Sequence, residues 1–265
     1  MTDSVAMTME IELLRLGAGY GVILLVLAVA ARWKTGRTAE ILIATARMTV
    51  QLVAVGYLLE LVFQRPHPAV TVLLVGVMEV FAVRNIFARV KLDPSPALRR
   101  VIIISMVSGT TVAIVFFLLV ILATDPWYAP RYVIPISGML IGNSMTGISL
   151  GFERLVRGIA DNTRQVEAAM MLGATRRQAA HRYARDAFAA AILPTINAMV
   201  GMGIVFLPGM MTGQILAGSS PVLAIRYQIA IMLGILGSVT TTVFLMTEFG
   251  YRTFFTRDYR LAAKG

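Results

Sequence analysis

From Val101 to Thr124 the chain carries no charged side chain, and from Ala187 to Ile225 it again carries none. An α-helix needs about 20 consecutive apolar residues to cross the ~30 Å hydrocarbon core of a bilayer. The apolar residues in these runs follow one another rather than alternating, so a transmembrane β-barrel is not expected. Composition agrees: 57% of the 265 residues are hydrophobic and 14% are charged, with a mean hydropathy of +0.76. A soluble domain carries roughly 25% charge. The expected fold is an all-α integral membrane protein in which residues 1–265 form one membrane domain.

The apolar blocks place about seven spans near 13–31, 39–63, 69–87, 101–124, 132–152, 187–207 and 222–249. Pro66-His67-Pro68 makes one short turn. The stretch from Asp125 to Pro130 makes another, and its Trp127 and Tyr128 suit the interfacial belt. Pro208-Gly209 is expected to end the sixth helix, leaving 208–221 as a short return or re-entrant piece at the outer surface. Irregular backbone at that depth is tolerated only against protein or water.

Seven spans would put eighteen Lys and Arg residues on one side and four on the other. The rich side holds Arg32, Lys34, Arg37, Arg89, Lys91, Arg99, Arg100, the seven arginines between 153 and 186, and Arg252, Arg257, Arg260 and Lys264. This bias predicts an outside N-terminus and a cytoplasmic C-terminus. It also accounts for the net charge of +10 without nucleic acid as a partner. Met1 to Glu12 lacks a basic n-region, so no cleaved signal peptide is expected. The absence of cysteine excludes disulfides and thiolate metal sites.

No G-x-x-x-x-G-K-[ST] loop occurs, so the chain is not expected to hydrolyse nucleotide itself. His67 and His181 fall on opposite sides of the membrane and cannot share a site, which leaves an enzyme reading poorly supported. Charges inside spans are more informative, because each costs about 2.5–3.5 kcal/mol on insertion scales. Arg47 lies about 12 Å in from the start of the second helix, and Glu79 about 15 Å from the far end of the third. An ion pair between them would be a structural staple or part of a polar transport path. Glu60 and Glu248 are nearer helix ends, where they can reach water.

Gln51, Asn143, Met145, Asn197, Met210, Met211 and Gln214 complete the candidate path, with Ser144, Thr146, Met199 and Met202 nearby. Thioethers can bind soft metals or simply fill a core, and both readings stand. The pairs Gly138/Gly142 and Gly147/Gly151 would permit close helix approach.

The only long charged segment between hydrophobic blocks is 153–186. Its residues favour helix from Thr163 onward, with Asp161 or Asn162 available as a cap. Val166, Ala169, Met170 and Gly173 would fall on one face of a continuous helix. The segment could lie on anionic lipid or dock into the groove of a soluble partner.

Glu167-Ala168-Ala169-x-x-x-Gly173 resembles the EAA-type cytoplasmic loop of ABC transporter permeases. Importers usually continue to Ile-x-Leu-Pro, but here Tyr183-Ala184-Arg185-Asp186 stands in that place, so the importer subclass is not indicated. A wider pattern resembles the FetB/YbbM family of ABC permeases. Its blocks are Arg47-x-x-x-Gln51-Leu52-x-x-x-Gly56-Tyr57, Ile134-Pro135-Ile136-x-Gly138-Met139-x-Ile141-Gly142-Asn143 and Leu172-Gly173-Ala174-Thr175-x-x-Gln178-Ala179. Leu207-Pro208-Gly209-Met210-Met211-x-Gly213-Gln214-Ile215-x-Ala217-Gly218 and Ala224-Ile225-Arg226-Tyr227-Gln228-Ile229 follow.

The resemblance implies the membrane subunit of an ATP-driven exporter in the bacterial inner membrane. Two copies would work with a separate, FetA-like cytosolic ATPase. ATP and magnesium would bind that partner, and no cofactor would bind this chain. Glu167, Ala168, Ala169, Leu172, Gly173, Ala174, Thr175 and Gln178 would couple the two subunits. The family is associated with iron export, while plant relatives are linked to aluminium tolerance with a nucleotide sugar proposed as substrate. An autonomous secondary transporter or channel is the alternative, and a membrane scaffold that recruits a soluble partner is a third reading.

Overall fold

The computed structural model describes residues 13–34, 36–89 and 94–255. Lys91, Arg257, Arg260 and Lys264, which enter the charge count, lie outside these, as does the stretch from Met1 to Glu12. Among the described residues there are nine α-helices and no strand: α1 Leu13–Arg32, α2 Thr38–Gln64, α3 Pro68–Arg89, α4 Pro96–Phe116, α5 Pro130–Asp161, α6 Thr163–Met171, α7 Arg176–Gly201, α8 Gly209–Leu216 and α9 Pro221–Gly250. A π-helical turn, Phe117–Leu122, extends α4, and a 3-10 turn, Tyr251–Phe254, follows α9. Six helical segments, containing α1 to α5 and α9, are long and apolar enough to cross a membrane.

Local chemistry sets the helix starts. Pro96, Pro130 and Pro221 occupy the first turn of their helices, where a missing N–H costs nothing and φ is already set. Ser95 and Ser220 then accept hydrogen bonds from Leu98 N and Leu223 N, each at 3.3 Å. His67 plays the same part for α3: its Nδ1 accepts from Ala69 N at 3.2 Å. The histidine expected merely to sit in an outer turn therefore shapes the start of the next helix.

The expected sixth span, 187–207, is the main departure. Its helix is α7, which begins at Arg176 and ends at Gly201, six residues early. Its uncharged portion, 187–201, is only about 22 Å long at 1.5 Å per residue, short of the ~30 Å core. The break is therefore at Gly201, not at Pro208-Gly209. Gly203 takes φ +85, which β-carbon sterics make costly for other residues. A bridge between Met202 and Phe206 folds the chain back on itself, and α8 follows within the expected return.

The chain divides into two compact units, 1–65 with 213–219, and 66–212 with 220–265. In the first, Tyr20 on α1 and Thr49 on α2 share a hydrogen bond of 2.6 Å between their hydroxyls. In the second, α5 packs against α3, α4, α7 and α9. Its Ile136, Leu140, Ile148, Phe152 and Leu155 are fully buried there.

Only one of the two glycine pairs makes this packing in full. A β-carbon on Gly147 would meet Val239 Cγ1 at 2.9 Å, and one on Gly151 would meet Met246 Cε at 2.8 Å and Ala191 Cβ at 3.3 Å. These glycines let α5 approach α9 and α7 closely. A β-carbon on Gly138 would meet Met78 Cε at 3.1 Å, whereas one on Gly142 would meet nothing within 4 Å. A buried hydrogen bond of 2.8 Å between Ser144 and Ser238 ties α5 to α9 beside the tight pair. It gives both hydroxyls a partner where water is excluded.

Candidate functional site

The charged segment folds as an elbow rather than one helix. α5 runs on to Asp161, and α6 and α7 meet at a turn over residues 172–175. Gly173, expected on one helical face with Val166, Ala169 and Met170, instead adopts φ +89. This left-handed conformation ends helices and favours glycine. Thr175 and Gln178 then start α7 with a reciprocal capping box. The Thr175 hydroxyl accepts from Gln178 N at 3.3 Å, and Gln178 Oε1 accepts from Thr175 N at 2.8 Å. Two of the orphan donors at a helix start are satisfied in this way.

Three of the residues shared with the coupling motif thus have an architectural explanation: Gly173, Thr175 and Gln178 make the bend. Asn162 does not cap α6 through its side chain, which turns back so that Nδ2 donates to Gly158 O at 2.8 Å.

The inner side of the elbow is fixed. Val166 is fully buried, and Ala169 and Met170 pack on the same core. The Tyr183 hydroxyl on α7 donates to Gln165 Oε1 on α6 at 3.3 Å. The Tyr183 ring also lies close enough to Gly158 that a β-carbon there would be 3.3 Å away.

The outer side is open. Glu167 and Ala168 are exposed, and the tip presents Met171 and Leu172 at 86% and 89% exposure. Two large apolar side chains thus stand bare at a turn just before Arg176 and Arg177, which open α7. Sequence reasoning placed Met171 in the segment without assigning it a part; its exposure depends on the bend at Gly173.

The candidate path residues are distributed differently. Arg47 and Gln51 stand one turn apart on α2 in the first unit. In the second, Glu79 on α3 is 8% exposed and accepts a hydrogen bond through Oε1 from the Thr110 hydroxyl on α4. Thr110 was not singled out from the sequence. Its position as a polar residue in an otherwise charge-free span was the available signal. Glu79 Oε2 has no hydrogen-bond partner in the structure.

Asn143 and Asn197 are exposed, and Asn143 Nδ2 donates to Met139 O at 2.8 Å on its own helix. Met145 Sδ accepts from Asn85 Nδ2 at 3.3 Å, and Met202 Sδ faces Gln228 Nε2 at 3.9 Å. Met211 is buried and Met210 half-buried on α8, and Gln214 lies on the same short helix. Among the described residues, no group of three or more His, Asp or Glu side chains comes together as a metal site.

Long apolar helices joined by short turns, with one basic elbow between them, define a multi-pass membrane protein. The sequence profile of the Uncharacterised protein family (UPF0014) matches residues 13–255, and the chain belongs to that family. It is 38% identical over 225 residues to the UPF0014 membrane protein slr1647 of Synechocystis, covering 84% of this chain and 86% of that one. It is 32% identical to the UPF0014 membrane protein STAR2 of rice over 92% of this chain and 84% of that one. The probable iron export permease protein FetB of Escherichia coli is also 32% identical, over 84% of each chain. No solved structure matches.

Proposed function

We propose that this chain is the membrane permease subunit of an ATP-driven exporter in the bacterial inner membrane. It would act as a pair of copies with a separate cytosolic ATPase, carrying iron or another metal. The observation that carries the reading is the elbow: an apolar tip at Met171 and Leu172, bare on the outside and held rigidly from within. A helix pair fixed by Tyr183, Gln165 and Val166 can transmit a push, because packed elements move as discrete bodies rather than deforming continuously. Glu167, Ala168, Ala169, Leu172 and Ala174 would form the contact, and Gly173, Thr175 and Gln178 its shape. The name of the Escherichia coli relative supports the cargo class.

Within the membrane, Arg47, Gln51, Glu79, Asn143, Met145, Asn197, Met210, Met211 and Gln214 are the proposed path. The test is co-purification of the chain with an ATPase encoded beside it, using Leu172→Asp and Glu167→Lys variants. Either substitution is expected to release the ATPase while the membrane fold stays intact. A complex that persists with normal ATP-driven flux overturns the coupling role.

A further inference from the structure

A second site lies between α3 and α4, away from the elbow. Glu79, Val80, Val83, Arg84, Phe87, Arg99, Ile103 and Val107 line a cleft of about 310 Å³. The residues form two facing stripes. On α3 they recur at Glu79, Val83 and Phe87, and on α4 at Arg99, Ile103 and Val107, each one turn apart and therefore on one helix face.

The antiparallel register is fixed at both ends. The Arg99 guanidinium stacks on the Phe87 ring, 5.0 Å from its centroid, and Thr110 donates to Glu79. Between these ends the cleft runs for about 12 Å, eight residues at 1.5 Å each, lined by Val80, Val83, Ile103 and Val107 with Arg84 among them. Both arginines are exposed, and among the described residues no carboxylate pairs with either.

We propose that this cleft binds an anionic phospholipid, with the phosphate on Arg84 and Arg99 and the upper acyl chain along Val80, Val83, Ile103 and Val107. Charge complementarity selects the occupant. Arg84 stands about one and a half turns before the end of α3 and Arg99 in the first turn of α4, on the side where headgroups lie if these helices span, and an apolar channel leads inward from them. Basic pockets between spanning helices are suited to acidic headgroups, and guanidinium matches phosphate oxygens in pairs. Glu79 closes the inner end: a carboxyl group there limits the aliphatic channel and gives the cleft a polarity, arginines outward and carboxyl inward. The lipid contacts are argued without the elbow or an ATPase, and Glu79 is the one residue shared with the proposed path.

The full chain in detergent is titrated with phosphatidylglycerol, with phosphatidylcholine of the same acyl chains, and with glycerol 3-phosphate, and bound lipid is counted by native mass spectrometry. Wild type is expected to bind phosphatidylglycerol roughly tenfold more tightly than phosphatidylcholine, and R84Q/R99Q is expected to erase that preference. V83W/I103W, which fills the channel but keeps both arginines, is expected to lower binding of phosphatidylglycerol. R226Q on α9 is expected to change neither. Equal binding of the two lipids by wild type overturns the proposal, as does a preference surviving in a folded R84Q/R99Q protein or full lipid binding by V83W/I103W. Displacement of the lipid by glycerol 3-phosphate at equal concentration likewise overturns it, because the site would then recognise phosphate alone.

Discussion

A side chain at position 173 would sit on backbone with φ +89, a conformation that costs a non-glycine residue about 1–2 kcal/mol. Gly173→Ala is therefore expected to destabilise the bend by about 1 kcal/mol, read as faster protease cleavage between Met171 and Arg176. Thr175→Ala removes the capping hydroxyl and is expected to cost about as much, with Thr175→Ser restoring most of it. Glu79→Gln leaves an oxygen to accept from Thr110, so thermal stability should change little. If Glu79 serves the path, ATP-driven flux should still fall at least tenfold; unchanged flux removes it from the path. Glu79 stands out by its charge within a span, but the roles of Gly173 and Thr175 in the bend could not be read from residue type alone. Gly173 fits the apolar face of a continuous helix as well as it fits a turn, and only the Thr175 and Gln178 pairing three residues apart signals a fresh helix start.

The helices themselves were largely legible, for a physical reason. Where charge or proline bounds an apolar run, the boundary is set by solvation and backbone geometry, and both are written in sequence. Thus α2, α3, α4 and α9 begin within a few residues of expectation, once the polar first turn of α4 is included. The 187–225 stretch has no charge to mark a boundary, and its Pro194 lies inside α7 while Pro208 falls beyond the helix end, so neither hydropathy nor proline finds the break at Gly201. Two small residues near one another there, Gly201 and Gly203, were the only local signal.

Close packing was half legible. Both glycine pairs have the same spacing, yet Gly147 and Gly151 meet α9 and α7 while Gly142 meets nothing nearby. Gly147→Leu is accordingly expected to lower stability by about 1–3 kcal/mol through overpacking, whereas Gly142→Ala should leave it unchanged. Thermal unfolding in detergent, followed by light scattering, distinguishes the two.

For the molecule as a whole, the division of labour follows from what the chain contains. It supplies long apolar helices, a few polar side chains within them, and an apolar-tipped elbow, but no phosphate-binding loop. A partner is one route by which the energy for uphill transport could arrive, and the exposed tip of the elbow is where that partner is proposed to dock. The most direct measurement is metal flux from proteoliposomes holding the purified chain with and without its ATPase. Flux is expected only when the ATPase and hydrolysable ATP are both present, and is expected to be lost on Leu172→Asp with assembly of the membrane part preserved. Metal flux from the chain alone, driven by an ion gradient and indifferent to ATP, would contradict it.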